Sequence, residues 1–361
     1  MKNDIARTVA AGFFCVVLVG CSGQQSSPQT AAEPAEQTSG PRFWREAKTR
    51  IRFAGSSSNL TLISRYLGEG MYRRLGAGTV YAIYGARGHA YYDGLVSLGE
   101  QEVDFAVITP PVTGKMAMAG KGYFDKAYPN LRAIAVYPQN DWVGCAVHPD
   151  LGVSSFEEIK EKRVPLKLAT GPVGQHDGVG FLTEQILAGY GITLEDLKSW
   201  GGTTLPSPSA GDAVQKVLAG EANALCHEFW KAYYPLVEKI PVRFLSVRED
   251  IRDQLAQEFG YQKVMIPKGV YRPNLPDRDI PTLDFSDWVV ITRSEVPDDI
   301  AYLAAKVAVE DRAGFEEFYI HQPERQRSMD TPMKPEIMWK NVGIPLHPGA
   351  EKYYREAGLM K

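Results

Sequence analysis

Short apolar runs alternate with longer stretches in which apolar positions recur at helical spacing, and this alternation governs the chain from about residue 50 onward. TRIRFAG (49–55) and VYAIYG (80–85) read as strands. Between them, NLTLISRYLGEGMYRRLG places Leu60, Ile63, Leu67, Met71 and Leu75 on one helical face. YYDGLVSLGEQ predicts a short helix, and EVDFAVITP a strand that ends at Thr109. LRAIAVYP and DWVGCAVHP continue as strands. In VSSFEEIKEKR, Ser154 or Ser155 is followed three residues later by Glu157 or Glu158, the spacing of a capping box. VPLKLAT then predicts a strand, FLTEQILAGYG and SAGDAVQKVLAGE helices, and NALCHEFW a last strand. The order strand, helix, strand, helix, strand thus occurs twice, over residues 50–109 and 164–230, which predicts α/β layers with mostly parallel sheets. Two such units can be joined by extended crossings, LRAIAVYPQNDWVGCAVHP and IPTLDFSDWVVITRSEVPDD. That layout makes a cleft faced by the carboxyl ends of both sets of strands.

The first residues carry a different pattern. Lys2 and Arg7 precede TVAAGFFCVVLVG, a short apolar run that ends in small residues, as in a secretory signal; it is too short and wrongly flanked for a membrane span. Leu18-Val19-Gly20-Cys21 resembles the lipobox of bacterial lipoproteins, so residues 1–21 are expected to be a lipoprotein signal with its lipobox, and Cys21 to be lipidated and to become the mature N-terminus. Residues 22–48 are rich in Ser, Gln, Pro, Ala and Glu at their start and offer little to bury, so they are expected to form a flexible tether. An extracytoplasmic, lipid-anchored location follows as the expectation.

Charge and cysteine content narrow the classes. The formal net charge is −3 and no basic stripe is present, which leaves a nucleic-acid partner unsupported. Of four cysteines, Cys145 and Cys226 would remain in the folded part, either as a disulfide or as two buried thiols. No C-x-x-C pair occurs and the six histidines are scattered, so neither a metal nor another cofactor is expected. There is no G-x-S-x-G, and His227-Glu228 is not followed by the second histidine of H-E-x-x-H, so an enzyme is not expected.

ATGPVGQHDGVGF (169–181) lies between a strand and a helix, where free backbone N–H groups can face an anion, but it fits neither phosphate-loop spacing. Its neighbours are more specific. LVSLGEQEVDFAVITP, NLRAIAVYP, FEEIKEKRVPLKLATGPVGQ, AGDAVQKVLAGEANA, IPKGVY, SEVPDDIAYLAAKVAVE and above all VGIPLHPGAEKYYREAGLMK occur in the order found in the TAXI family, the solute receptors of tripartite (TRAP) secondary transporters. The chain resembles that family from about residue 50 to its end. The resemblance implies a bilobed α/β, periplasmic-binding-protein-like fold that closes on a small solute and delivers it to the membrane subunits of a TRAP transporter, and several members of the family bind carboxylates. It suggests one domain from residues 49–137 and 284–361 and a second from 138–283. The chain departs from the family in the loops that would line the cleft, GSSSNLTLISRY (55–66), GARGHAYYDGL (85–95) and GPVGQHDGVG (171–180), so a particular specificity does not carry over.

Those loops supply the candidate ligand-binding residues. Ser57, Ser58 and Asn59 cap the first helix and offer hydroxyl and amide groups. Arg87 could fork around a carboxylate, with His89 beside it and Thr109 at a strand end. Gly174, Gln175, His176 and Asp177 lie on the glycine-rich loop, where His176 could pair with Asp177 or donate to a bound anion. Strand alternation sends His227 and Phe229 one way and Glu228 and Trp230 the other, making Glu228 a candidate and Trp230 a plate for a flat solute. The expected ligand is a small organic acid or amino acid. A lipoprotein that senses such a solute for a membrane kinase is the alternative, with a hydrolase behind it.

Overall fold

The computed structural model describes residues 48–361 apart from 56, 57, 86–89 and 330, with the backbone alone at Ser58, Ala90 and Gln326. The expected signal and lipidation site at Cys21, the tether up to residue 47, and Ser57, Arg87 and His89 lie outside these residues. Residues Glu46–Lys361 make one compact unit.

The chain opens with β1 (Thr49–Gly55), the helix Ser58–Leu75, β2 (Thr79–Gly85), the helix Ala90–Gly99, β3 (Phe105–Ile108) and, after the helix Val112–Ala119, β4 (Leu131–Tyr137). It then crosses to β5 (Gly144–Val147), β6 (Lys167–Thr170), β7 (Thr203–Pro206), β8 (Ala224–His227) and β9 (Arg243–Phe244). A hairpin of β10 (Lys263–Ile266) and β11 (Ile280–Leu283) precedes the return to β12 (Trp288–Arg293). Among the described residues the strands form two five-stranded sheets, ordered β2-β1-β3-β12-β4 and β7-β6-β8-β5-β9. The molecule is therefore bilobed α/β, and both crossings fall in the two segments that the sequence marks.

The sheets are mixed instead of mostly parallel. β1 runs parallel to β2 and β3, and β6 to β7 and β8, as strand-helix-strand units require. The strands next to the crossings, β12 and β5, run antiparallel to their neighbours. A strand that enters a sheet from the opposite lobe enters from the opposite end, which the helix-strand rhythm of the sequence does not encode.

The helical face read from the sequence packs as spaced: Leu60, Ile63, Leu67 and Met71 are buried against Ile51, Phe53 and Phe105 of the first sheet. Each such side chain contributes about 1.5–3 kcal/mol by leaving water. Ser155 is the cap of the helix Phe156–Glu161, accepting the Glu158 amide, while Glu158 reaches back to the Ser154 amide at 2.7 Å. Cys145 and Cys226, directly opposed on β5 and β8, are joined as a disulfide.

Candidate functional site

The two crossings run side by side and bond to each other. Asp287 donates its amide to Gln139 O (3.0 Å), Phe285 to Asp141 O (3.2 Å) and Val143 to Leu283 O (3.1 Å). The Asp141 amide donates to Ser286 Oγ at 2.8 Å. These bonds fix the hinge end of a cavity of about 500 Å³ between the lobes. Asn59, Tyr91, Thr109 and Trp288 line it from the first lobe, Gln139 and Asp141 from a crossing, and Asp177, Ser207–Gly211 and His227–Phe229 from the second lobe. A larger groove of about 1250 Å³ on the second lobe is lined mainly by charged side chains such as Glu157, Lys160, Glu161 and Arg163 and involves one lobe only. The interlobe cavity is the candidate site because only there do both lobes surround the same space.

Asp141 organises its floor. Its carboxylate accepts the amides of Trp142 (2.8 Å) and Trp230 (3.1 Å) through Oδ1 and of Phe229 (2.9 Å) through Oδ2. That capture ends β8 at His227 and holds Phe229 in the left-handed region at φ 60°. The alternation expected through Trp230 therefore stops three residues early, at His227, which corrects the strand reading of NALCHEFW. Glu228 enters the cavity, whereas the Trp230 indole stacks on Trp142 at 4.9 Å and donates to Asn140 O at 3.0 Å.

Glu228 and Asp141 are hydrogen-bonded carboxyls. Burial pushes both up. Three N–H donors keep Asp141 the lower, at about 7, while Glu228, beside that charge, is driven further. Of the two, Glu228 is therefore the carboxyl that keeps its proton to the higher pH. His227 cannot supply a compensating charge, because burial lowers its pKa. Its Nδ1 accepts the Glu228 amide at 3.0 Å, so Nε2 carries the proton and donates to Ser207 O at 3.1 Å. Burial, then the nearby Glu228, Asp177 and Asp141, keeps the Tyr91 phenol protonated.

The glycine-rich loop is built for close packing. A Cβ at Gly180 would lie 2.0 Å from Pro172 O, and one at Gly171 2.2 Å from Asp177 Oδ1. Asp177 caps the helix Gly178–Gly189 through the Gly180 amide at 2.7 Å and faces the cavity. Gly174 and Gln175 are exposed and do not line it. His176 reaches the other lobe instead of Asp177: its Nδ1 lies 2.8 Å from Tyr123 O, and its ring stacks on Tyr92 at 4.1 Å. Behind it, Tyr123 packs on Phe181 at 5.4 Å and Phe181 on Phe259 at 5.1 Å. Thr109 lines the cavity but donates to Phe285 O at 3.2 Å. Asn59 lines it too, its Oδ1 accepting from Tyr319 at 2.8 Å.

His176 is thus a clasp between the lobes. His176→Ala is expected to enlarge the radius of gyration of the unliganded protein and to weaken solute affinity by about three- to tenfold. Unchanged scattering together with unchanged affinity would show that the stack does not hold the lobes.

Residues that sequence reading did not single out include Asp141, Tyr91, Gln139, Ser207–Gly211 and Trp288. Asp141 and Gln139 lie inside a segment read as a crossing, and polar residues at a crossing are the signal that would have found them.

Two α/β lobes joined by paired crossings around a shared cavity define a bilobed α/β fold. The chain belongs to the NMT1-like family, whose profile it matches over residues 92–358. It is similar to a TctC solute-binding protein from Polaromonas (13% identity, 86% of this chain and 98% of that one, TM-score 0.48). It is also similar to the periplasmic binding protein BugD (12% identity, 87% and 99% covered, TM-score 0.45). A third similar structure is PhnD1 from Prochlorococcus marinus in complex with methylphosphonate (11% identity, 86% and 99% covered, TM-score 0.43).

Proposed function

We propose that the protein is an extracytoplasmic solute-binding lipoprotein that closes its lobes on a small solute and delivers it to a TRAP-type transporter, as a TAXI-type receptor does. The observation that carries this reading is the cavity of about 500 Å³ lined from both lobes. Its size suits a small organic molecule, and neither lobe alone would surround one. Binding then selects the closed form, and a membrane partner can read the closed surface. The signal-like segment ending at Cys21 supports lipid anchoring outside the cytoplasm, and the Cys145–Cys226 disulfide suits an oxidising compartment. The lobe boundaries that we assign are 49–137 with 284–361 and 138–283.

A carboxylate on the solute is the class that Arg87 would favour, and Arg87 is outside the described residues. The described lining includes the carboxyl groups of Asp141, Asp177 and Glu228. Catalysis is not the reading we favour. Two carboxyls sharing a proton can activate water, but Asp141 spends its lone pairs on three backbone amides.

A thermal-shift screen of the purified protein against carboxylates, amino acids, amines, nucleosides and sugars tests the proposal. At least one solute should raise the melting midpoint, because a ligand that binds only the folded state stabilises it by mass action. If no solute shifts the midpoint, and mass spectrometry of the denatured protein shows nothing carried over from expression, the proposal fails.

A further inference from the structure

We infer that Gly211 sets the size limit of the interlobe cavity, the solute lying directly over the bare backbone of the helix Ala210–Leu218 at this residue. This rests on the solute-binding reading and names the residue that selects among solutes by size. A glycine within a helix is less stable there than an alanine, so a helical glycine calls for a reason. Two internal reasons operate elsewhere in the chain. Gly174 takes a φ of 65°, and Gly171 and Gly180 sit where a Cβ would collide with its neighbours at 2.2 and 2.0 Å. Gly211 has neither reason. Its φ lies outside the left-handed region, and a Cβ built on it would meet only Ser209 Oγ, at 3.8 Å, among the described residues. The residue is exposed although it lines the cavity. The room that a side chain at 211 would fill is therefore left to the contents of the cavity.

The backbone at 211 is held in place. Ser209 Oγ accepts the Asp212 amide at 3.2 Å and caps the helix one residue before Ala210. The first lobe brings bulk to the same cavity through Tyr91 and Trp288, whereas Gly211 brings no side chain at all. A fixed turn without a side chain lets a solute touch the backbone at van der Waals distance, and such contacts turn a difference in solute size into a difference in affinity. A methyl group at 211 would take the volume of one solute carbon. A longer side chain would also stand between the lobes as they close. Affinity should therefore fall stepwise as residue 211 grows, and larger solutes should lose more than smaller ones.

The experiment is calorimetric titration of the wild-type protein, Gly211→Ala and Gly211→Leu with probes graded in size: succinate, glutarate and adipate; alanine, glutamate and arginine; ribose, glucose and adenosine. Gly314→Ala is the control, because Gly314 is also exposed in a helix, Arg312–Ile320, has room for a Cβ at 3.7 Å from the Tyr66 ring, and lies outside the cavity lining. Wild type should bind at least one of these probes. For the largest probe that it binds, Gly211→Ala should raise the Kd about tenfold and Gly211→Leu about a hundredfold, with Gly314→Ala unchanged. Gly211→Ala should melt no lower than wild type, since alanine favours the helix, so its weaker binding is not misfolding. A Kd that is the same in wild type, Gly211→Ala and Gly211→Leu overturns the inference and leaves the solute-binding reading standing. A lower melting midpoint for Gly211→Ala also overturns it, by placing the need for glycine in the fold itself. If none of the probes binds wild type, the inference falls, and the solute-binding reading falls with it only if the wider solute screen is empty too.

Discussion

Asp141→Ala is expected to lower the unfolding free energy by roughly 3–5 kcal/mol and to abolish solute binding. The carboxylate is buried at 2% exposure, and three backbone amides, of Trp142, Phe229 and Trp230, have it as their acceptor. An amide left without a partner away from water costs about 1–3 kcal/mol, and local relaxation recovers part of that sum. The Asp141 bond to the Phe229 amide helps to hold that left-handed backbone, so the turn that carries Glu228 into the cavity should relax when it is lost. Asp141→Asn should do less harm, since its carbonyl oxygen can still accept the two amides that now meet at Oδ1, while its NH₂ group opposes the Phe229 amide. Urea unfolding of both variants measures the difference. A loss below about 1 kcal/mol for the alanine variant would mean that the hinge does not depend on this side chain.

The second large effect lies far from the cavity. Asp104→Ala should cost on the order of 3–5 kcal/mol, because it strands the buried Arg293 and unties the part-exposed Arg52 in the first lobe. Asp104 accepts the Arg52 amide (2.9 Å), Arg52 Nε (3.1 Å) and Nη2 (2.9 Å), and Arg293 Nη2 (2.9 Å). Arg293 also donates to Val103 O, and its side chain is only 10% exposed. One carboxylate thus ties β1, β3 and β12 together. Burial works to raise the Asp104 carboxyl, but the hydrogen bonds from Arg52 and Arg293 outweigh it and hold the pKa below the usual range. A depressed acid contributes its stability above the ordinary carboxylate pKa and loses it as pH falls through the depressed value. The gap between wild type and Asp104→Ala should therefore be full at neutral pH and shrink below about pH 4. A gap that persists unchanged at pH 3, or one absent at pH 7, would contradict the account.

The elements of this protein were largely legible in its sequence because they rest on local periodicity. Leu60, Ile63, Leu67 and Met71 face the core where their spacing put them, and Ser155 caps where the serine-glutamate spacing put a cap. The site was legible only in part. Glu228 and Thr109 follow strand ends, Asp177 caps a helix and Asn59 lies in the first turn of the helix Ser58–Leu75, positions that a sequence reveals, and all four line the cavity. Asp141 does not stand out, since an aspartate in QND reads as a solvated loop residue. Its burial comes from residues 88 and 89 positions away, and those contacts exist only once the crossings have paired. For the same reason NALCHEFW reads as one continuous strand, although β8 stops at His227. His176 belongs with these cases, because its partners Tyr92 and Tyr123 come from the other lobe.

The central claim is that both lobes grip one solute in the cavity between them. Amide hydrogen exchange, with and without the strongest-binding solute from the thermal screen, tests it most directly. The account predicts slowed exchange at segments 107–109 and 288–290 of the first lobe, at the crossings 139–143 and 284–287, and at 177–181, 207–213 and 227–230 of the second. Slowed exchange confined to one lobe, or centred on the outer groove around Glu157 and Arg163, would contradict it.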